Sequence, residues 1–330
     1  MGECHKGSRP TFGRCSKLGE METLGSLTTE SRNQHSEHID ELSTLDMLAV
    51  INREDATVAE AVKSQLPAIA QAVDTIAERF NQGGRLFYIG AGTSGRLGVL
   101  DASECPPTFS VPPALVQGLI AGGDPALRTS SEQTEDDPDQ GKHDLAASGF
   151  GIANAADPEA KTPDVLVGIA SSGRTPYVLG ALLHARSLGA FTIGLSCVEG
   201  SPITKIVDLA ITPVTGPEVI TGSTRMKAGT ATKMVLNMIS TGVMIHTGMV
   251  YGNLMVNVKP TNDKLIDRAY RIIMATTGCD RYTATRLLIE AQSVKTAIAM
   301  QKLRISRLEA ERRLAGVAGS LSKALKSEKR

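Results

Sequence analysis

The stretch that decides the fold is Arg85-Leu-Phe-Tyr-Ile-Gly-Ala-Gly-Thr-Ser-Gly-Arg96. A short apolar run that enters a glycine-rich turn is typical of a buried parallel strand followed by a helix. Four more apolar runs of this kind occur further on, at Leu115–Ala121, Val165–Ala170, Phe191–Ser196 and Leu209–Pro213. Helical patterns separate most of them, notably Thr175 to Leu188. The sequence therefore predicts an α/β fold, a doubly wound parallel sheet flanked by helices.

The rest of the chain divides into segments of different composition. Residues 1–25 are polar and glycine-rich, which predicts a disordered extension, and residues 26–56 predict an N-terminal helical segment. Residues 57–246 hold the sheet and form the predicted ligand-binding domain. Residues 247–330 have no strand pattern after their first part, so we expect a C-terminal helical subdomain.

Individual helices can be placed within these segments. Ser43 is a candidate N-cap for the helix that follows it. Apolar residues at intervals of three and four predict one helix over Thr57 to Asn81, and a long apolar helix is expected from Met226 to His246. The final charged stretch, Arg304 to Arg330, predicts a solvated amphipathic surface helix.

Composition excludes several classes of function. The chain has 35 Lys and Arg residues and 35 Asp and Glu residues, so it lacks the excess of positive charge that binds a nucleic acid or an anionic membrane. Aromatic residues make up only 3 %, too few for base-stacking surfaces. No apolar run has the length of a membrane span or of a signal-peptide core, so we expect a cytoplasmic protein with reduced cysteines. Its cysteines and histidines lack the spacing of metal ligands, so no metal is expected.

The first candidate site is the glycine-rich turn itself. Gly92, Thr93 and Ser94 stand between a strand and a helix, where backbone N–H groups and the helix dipole attract an anion. The turn also fits the dinucleotide fingerprint GxGxxG, which requires an acid about twenty residues later. That region reads Pro112-Pro-Ala114 and holds no carboxylate. A purely structural glycine turn remains an alternative.

A second loop of the same kind follows a later strand. Ser171, Ser172, Gly173 and Thr175 precede Pro176 at a predicted helix start, and they offer hydroxyl and amide donors of the sort that bind a phosphate monoester. Helix capping would account for Thr175 and Pro176 but not for the whole cluster. Since both loops follow parallel strands, we expect one pocket for a compact phosphorylated ligand at the carboxyl edge of the sheet.

Two acidic stretches stand beside these loops. In Asp101-Ala-Ser-Glu-Cys-Pro-Pro107 the two prolines predict the end of a helix, which would leave Glu104 near that end and close to the first loop. Glu132 and Glu135 follow another predicted strand. From the pattern alone, a solvated acidic helix start is the favoured interpretation of Glu135.

The chain resembles the N-acetylmuramic acid 6-phosphate etherases, single-domain members of the sugar isomerase (SIS) fold. The match extends from about Leu27 to near the C-terminus. It is carried by the strings Thr29-Glu-Ser-Arg-Asn33, Ile51-Asn-Arg-Glu-Asp55, Gly90-Ala-Gly-Thr-Ser-Gly-Arg-Leu-Gly98, Asp101-Ala-Ser-Glu-Cys-Pro-Pro-Thr-Phe109, Leu119-Ile-Ala-Gly-Gly123, Ala170-Ser-Ser-Gly-Arg-Thr-Pro-Tyr177, Gly222-Ser-Thr-Arg-Met-Lys-Ala-Gly-Thr230 and Thr261-Asn-Asp-Lys264.

The resemblance implies a homodimer that needs no metal or nicotinamide and converts N-acetylmuramate 6-phosphate and water to N-acetylglucosamine 6-phosphate and D-lactate. It implies that Glu104 protonates the leaving lactate and that Glu135 removes the C2 proton. Glu132 is expected to contact the sugar, and the two Ser/Thr loops its phosphate. A sugar-phosphate isomerase and a non-catalytic sugar-phosphate-binding regulator are the alternatives.

Overall fold

A parallel sheet forms the centre of the chain. The computed structural model describes residues 28–129, 134–152, 162–260 and 262–326. In these ranges five parallel strands are arranged in the order β2-β1-β3-β4-β5. The strands are β1 Leu86–Gly90, β2 Val116–Ile120, β3 Val165–Ile169, β4 Phe191–Leu195 and β5 Leu209–Ile211. Each predicted strand is confirmed, and so is the doubly wound α/β class.

Helices surround the sheet and make up most of the C-terminal region that is described. They are α1 Thr44–Asp55, α2 Val58–Lys63, α3 Leu66–Asn81, α4 Gly92–Phe109, α5 Pro138–Ala147, α6 Pro176–Ser187, α7 Pro202–Ile206, α8 Lys227–His246, α9 Asp263–Thr277, α10 Arg281–Ala291, α11 Val294–Leu303, α12 Arg307–Ala315 and α13 Leu321–Lys326. Ser43 caps α1 as predicted, because its hydroxyl accepts the N–H of Asp46.

Both faces of the sheet are buried, as a parallel sheet requires. Leu86 and Tyr88 of β1 point into one core with α3, α4 and α8. Phe87 and Ile89, the alternate residues, point into a second core with α5 and α6. A third core unites α9 to α13. The division of the chain at residues 57 and 247 remains a prediction, and residues 1–25 lie outside the described part.

Two segments that were each predicted as one continuous helix form two helices in the structure. The helix expected over residues 57–81 is divided into α2 and α3, because Pro67 has no N–H for a helix interior and stands at the start of α3 instead. The helix expected from residue 304 is divided into α12 and α13 by a turn in which Gly319 has φ +76°. Leu314 and Leu321 are buried in the third core, so this region is not a solvated surface helix.

The predicted helix end at the two prolines is also wrong. Helix α4 continues through Pro106 and Pro107 and ends at Phe109, followed by Ser110 in the left-handed region. The prolines remove two backbone hydrogen bonds from the last turns. Cys105 and Phe109, which flank them, are buried in the first core, and this packing holds the helix together.

Helices α5 and α6 approach each other very closely, through two glycines. A Cβ atom on Gly141 would lie 1.9 Å from the carbonyl oxygen of Tyr177, and one on Gly180 would lie 2.0 Å from that of Pro138. Neither position has space for a side chain. This contact fixes the loop before α5 against the first turn of α6.

We expect Gly180→Ala to separate α5 from α6 and to lower the free energy of unfolding by about 1–3 kcal/mol, the usual effect of an overpacked contact. Urea denaturation measures the change. Gly316→Ala is the matched control, since its Cβ would meet only atoms at 3.6 Å and should leave stability nearly unchanged. Equal effects of the two substitutions would contradict the role given to this contact.

Candidate active site at the carboxyl edge of the sheet

The two predicted loops meet at the point where the strand order reverses. Gly90 ends β1 beside Ile169, the last residue of β3. The chain leaves β1 for α4 on one face of the sheet and leaves β3 for α6 on the other face. Such a switch point opens a crevice at the carboxyl edge, the usual ligand site of open α/β sheets. The structure therefore brings the two loops together as the sequence predicted.

The first loop presents the free end of a long helix. Gly92 has φ +52° and begins α4, so it turns the chain from the strand into the helix. The cap residue Ala91 has no side chain that could bond the first N–H groups, and the first turn contains no acid. These N–H groups lack partners within the helix. The hydroxyl groups of half-buried Thr93 and buried Ser94 add two more donors, and together these groups suit a phosphate oxygen.

The second loop is supported from behind by buried hydroxyls. Gly173 has φ +68°, and a Cβ there would lie 2.1 Å from Oγ of Ser201 and 2.8 Å from Oγ of Ser196. The two serine hydroxyls lie 3.1 Å apart and are buried. Glycine is therefore required at this position, and the loop that includes Ser171 and Ser172 lies tightly on β4. The phosphate-binding role of both loops stays a prediction.

Glu135 lies at the second loop. Its Oε1 atom accepts the hydroxyl of Thr175 at 3.2 Å, and its carbonyl oxygen accepts the N–H of Tyr177 at 3.1 Å. The helix start that the sequence pattern favoured for Glu135 is wrong, because α5 begins later and Asp137 caps it. The catalytic role of Glu135 stays a prediction. Glu132 lies outside the described residues.

Glu104 lies elsewhere, and the expectation that it adjoins the first loop is wrong. It stands twelve residues after Gly92 on α4, about 18 Å along the helix axis. Gly95 packs at the level of Gly90, whereas Gly98 packs at the level of Tyr88, so α4 runs from the carboxyl edge towards the amino edge. The Glu104 side chain is exposed at the far end. A single chain does not bring Glu104 to the phosphate loops.

Asp101, in the same string as Glu104, has a structural position. Its carboxylate accepts hydrogen bonds from Tyr88 at 3.0 Å, Asn237 at 2.7 Å and Ser240 at 3.2 Å. Burial raises the pKa of Asp101, although these three donors act in the opposite direction. Asp101 therefore joins α4 to β1 and to α8.

A third wall of the crevice comes from the start of α8. A Cβ on Gly229 would lie 3.6 Å from the methyl group of Thr93, so this helix start adjoins the first loop. The buried carboxylate of Glu218 accepts the N–H groups of Lys227 and Ala228 at 2.8 and 2.9 Å. Sequence reasoning assigned no role to these residues. Lys227 and Ala228 lie in the string from residue 222 to 230, which contributes to the family resemblance but has no functional pattern of its own.

A buried ion pair holds this wall in place. Glu54, only 7 % exposed, accepts Lys227 Nζ and Asn33 Nδ2 at 2.7 Å each, and its other oxygen lies 2.7 Å from Nδ1 of His35. Burial alone would raise the pKa of Glu54, but the bonds from Lys227, His35 and Asn33 outweigh it and lower the pKa to about 2. The network unites three of the strings on which the resemblance rests.

The fold and the paired loops define a protein of the SIS class, the phosphosugar-binding domains. A family model described as the glucokinase regulatory protein N-terminal SIS domain matches residues 68–186. Among curated relatives, the N-acetylmuramic acid 6-phosphate etherase of Pasteurella multocida is 54 % identical over 92 % of this chain and 97 % of its own length. That of Jannaschia sp. is 55 % identical over 83 % of this chain and 84 % of its own length. This chain belongs to the N-acetylmuramic acid 6-phosphate etherase family.

A more distant likeness relates the chain to a solved structure. The phosphoheptose isomerase from Francisella tularensis aligns with 61 % of this chain and 98 % of its own, at 19 % identity and a TM-score of 0.44. Within the described residues, no helix has both the length and the apolar character needed to cross a membrane.

We expect Lys227→Met to lower the free energy of unfolding by about 3–5 kcal/mol, because it leaves the Glu54 carboxylate buried without its cation. Urea denaturation measures this change.

The stabilisation that Glu54 provides should depend on pH. A carboxyl whose pKa falls from 4.5 to about 2 on folding stabilises the protein above pH 4.5, and this stabilisation is lost as the pH falls towards 2.

The measurement is urea denaturation of the wild type and of Glu54→Gln at several pH values. The difference between the two proteins should be largest near neutral pH and should shrink between pH 4.5 and 2. A difference that does not depend on pH would contradict the assignment of the charge to Glu54.

Proposed function

We propose that this protein cleaves the lactyl ether of N-acetylmuramate 6-phosphate, giving N-acetylglucosamine 6-phosphate and D-lactate. The observation that carries the proposal is the 54 % identity to an etherase over nearly the whole of both chains. The geometry agrees with it: two phosphate-type loops and the carboxylate of Glu135 line one crevice. We further propose that the protein acts in the cytoplasm.

The phosphate fixes the substrate at a distance from the reacting carbons. It is held by the two loops, at the N-terminal ends of α4 and α6, so the sugar extends from there into the crevice. Binding energy from this remote group orients the reacting atoms without taking part in bond breaking. Glu135 accepts a hydrogen bond from Thr175 of the second loop, which supports a position for it beside the bound sugar.

Elimination requires a base at C2. In the ring-opened sugar the C1 aldehyde acidifies the C2 proton, and Glu135 removes it while the C2–C3 double bond forms. The C3–O bond breaks, and the ether oxygen takes the proton of Glu104 to leave as the hydroxyl of lactate. Water then adds to C3 with loss of a proton to Glu104, and Glu135 returns a proton to C2. Each proton transfer typically contributes about 10²–10⁴-fold to the rate.

The position of Glu104 leads to a proposal about a second copy of the chain. Because Glu104 and the phosphate loops lie at opposite edges of one sheet, we propose that the protein is a homodimer in which Glu104 of one copy enters the crevice of the other. An isologous dimer repeats every contact twice, so both crevices are completed together. The exposed Leu100, one turn before Glu104, gives this end of α4 an apolar surface for such a contact.

We expect Glu135→Gln to abolish exchange of the C2 proton with solvent, because the amide is not a base. Glu104→Gln should stop lactate release and spare part of the C2 exchange. Incubation with N-acetylmuramate 6-phosphate in labelled water, followed by lactate assay and mass spectrometry, measures both. Lactate release by Glu104→Gln at a near-normal rate would remove it as the acid.

Mixing the two inactive variants tests the shared site. Random pairing of Glu104→Gln with Glu135→Gln gives one intact crevice in each mixed dimer, so co-expression should restore about a quarter of the wild-type rate. Co-expression of Glu104→Gln with itself is the control. No recovery, with mixed dimers demonstrated by native mass spectrometry, would place both glutamates in one chain.

A further inference from the structure

A cavity of about 610 Å³ lies between the end of α4 and the start of α9. Pro106 and Pro107 line it on one side, and Lys259, Lys264 and Arg268 line it on the other. The cavity is at the end of α4 far from the phosphate loops, so it is separate from the crevice of the same chain. Its volume is in the range of pockets that bind small molecules.

Of the described residues that line the cavity, three are cations and none is an acid. Among the residues that the structure describes, none of its three cations is ion-paired. Two acids stand beside these cations on α9, Asp263 and Asp267, and neither lines the cavity; Asp267 is bound at 2.9 Å by Arg271 and at 3.0 Å by Arg281. Three unpaired cations around one cavity favour an anionic ligand, and a partly buried guanidinium suits the two oxygens of a carboxylate.

Glu104 adjoins this cavity. Pro107, which lines it, follows Glu104 by three residues on the continuous helix α4, so the two share one helix face. The exposed carboxyl group and the cationic cavity therefore belong to the same surface. A ligand that reaches Glu104 can therefore extend towards these cations.

The substrate of the proposed reaction has an anion at the required place. N-acetylmuramate 6-phosphate carries two anionic groups, the 6-phosphate and the lactyl carboxylate. Only one carbon atom separates that carboxylate from the ether oxygen that Glu104 protonates. A group that reaches the ether oxygen is thus within a few ångströms of the carboxylate, and burying it without a cation would be costly.

We propose that Arg268 and Lys264 bind the lactyl carboxylate of the substrate, on the copy of the chain that supplies Glu104. This inference rests on the proposed function and adds the feature that distinguishes substrate from product. The phosphate loops of one copy hold one end of the substrate, and the cationic cavity of the other copy holds the second end. The cations then retain the carboxylate while the C3–O bond breaks and lactate departs.

The test compares binding of substrate and product. In a Glu135→Gln background, which prevents turnover, calorimetry gives Kd for N-acetylmuramate 6-phosphate and for N-acetylglucosamine 6-phosphate. We expect Arg268→Met and Lys264→Met each to weaken substrate binding by at least about tenfold, the loss of one charge-assisted hydrogen bond. Product binding should not change, because the product has no lactyl group.

Lys302→Met is the matched control, since Lys302 lines a different cavity in the same helical region. It should leave both affinities unchanged. Equal weakening of substrate and product by Arg268→Met would mean that the cations serve the phosphate or the sugar, and unchanged substrate binding would mean that they serve neither; both results overturn the proposal. Failure of the wild type to release lactate would instead refute the proposed function.

Discussion

The parallel pairing of β1 with β3 is the constraint on which the rest of the site depends. These strands are neighbours in space but are separated in sequence by β2, and their chains continue to opposite faces of the sheet. Because the strand order reverses between β1 and β3, a crevice opens there, with the start of α4 on one side and the start of α6 on the other. Two helix N-termini face this crevice, and their free N–H groups are of the kind that suits an anion. This agrees with a chain whose total charge is balanced.

The crevice keeps its shape through buried polar contacts. Gly173 fits against the Ser196 and Ser201 hydroxyls, and the close contact of α5 with α6 keeps Glu135 beside Thr175. On the third side, the Glu54–Lys227 pair links the N-terminal segment to the start of α8. These contacts restrict the walls of the crevice, and in the proposed reaction this rigidity would keep the substrate and Glu135 in a fixed orientation.

The direction of α4 is the reason for proposing that two copies of the chain share one site. A helix that begins at the phosphate loop and packs along β1 and β2 must carry its later residues away from that loop. Glu104 and the cationic cavity therefore share one end of the molecule, and the phosphate loops occupy the other. In the proposed dimer, the phosphate loops of one copy and the cationic cavity of the other would hold the two anionic groups of one substrate.

The sequence by itself determined the local features. Apolar runs followed by Gly, Ser and Thr predicted all five strands and both loops, because strand period and helix-start chemistry are encoded within a few residues. The sequence did not determine where α4 ends, because buried Cys105 and Phe109 outweigh the local effect of two prolines. Nor did it place Glu135 in the crevice and Glu104 outside it. Those positions depend on how helices pack on the sheet, and only the tertiary structure decides such long-range contacts.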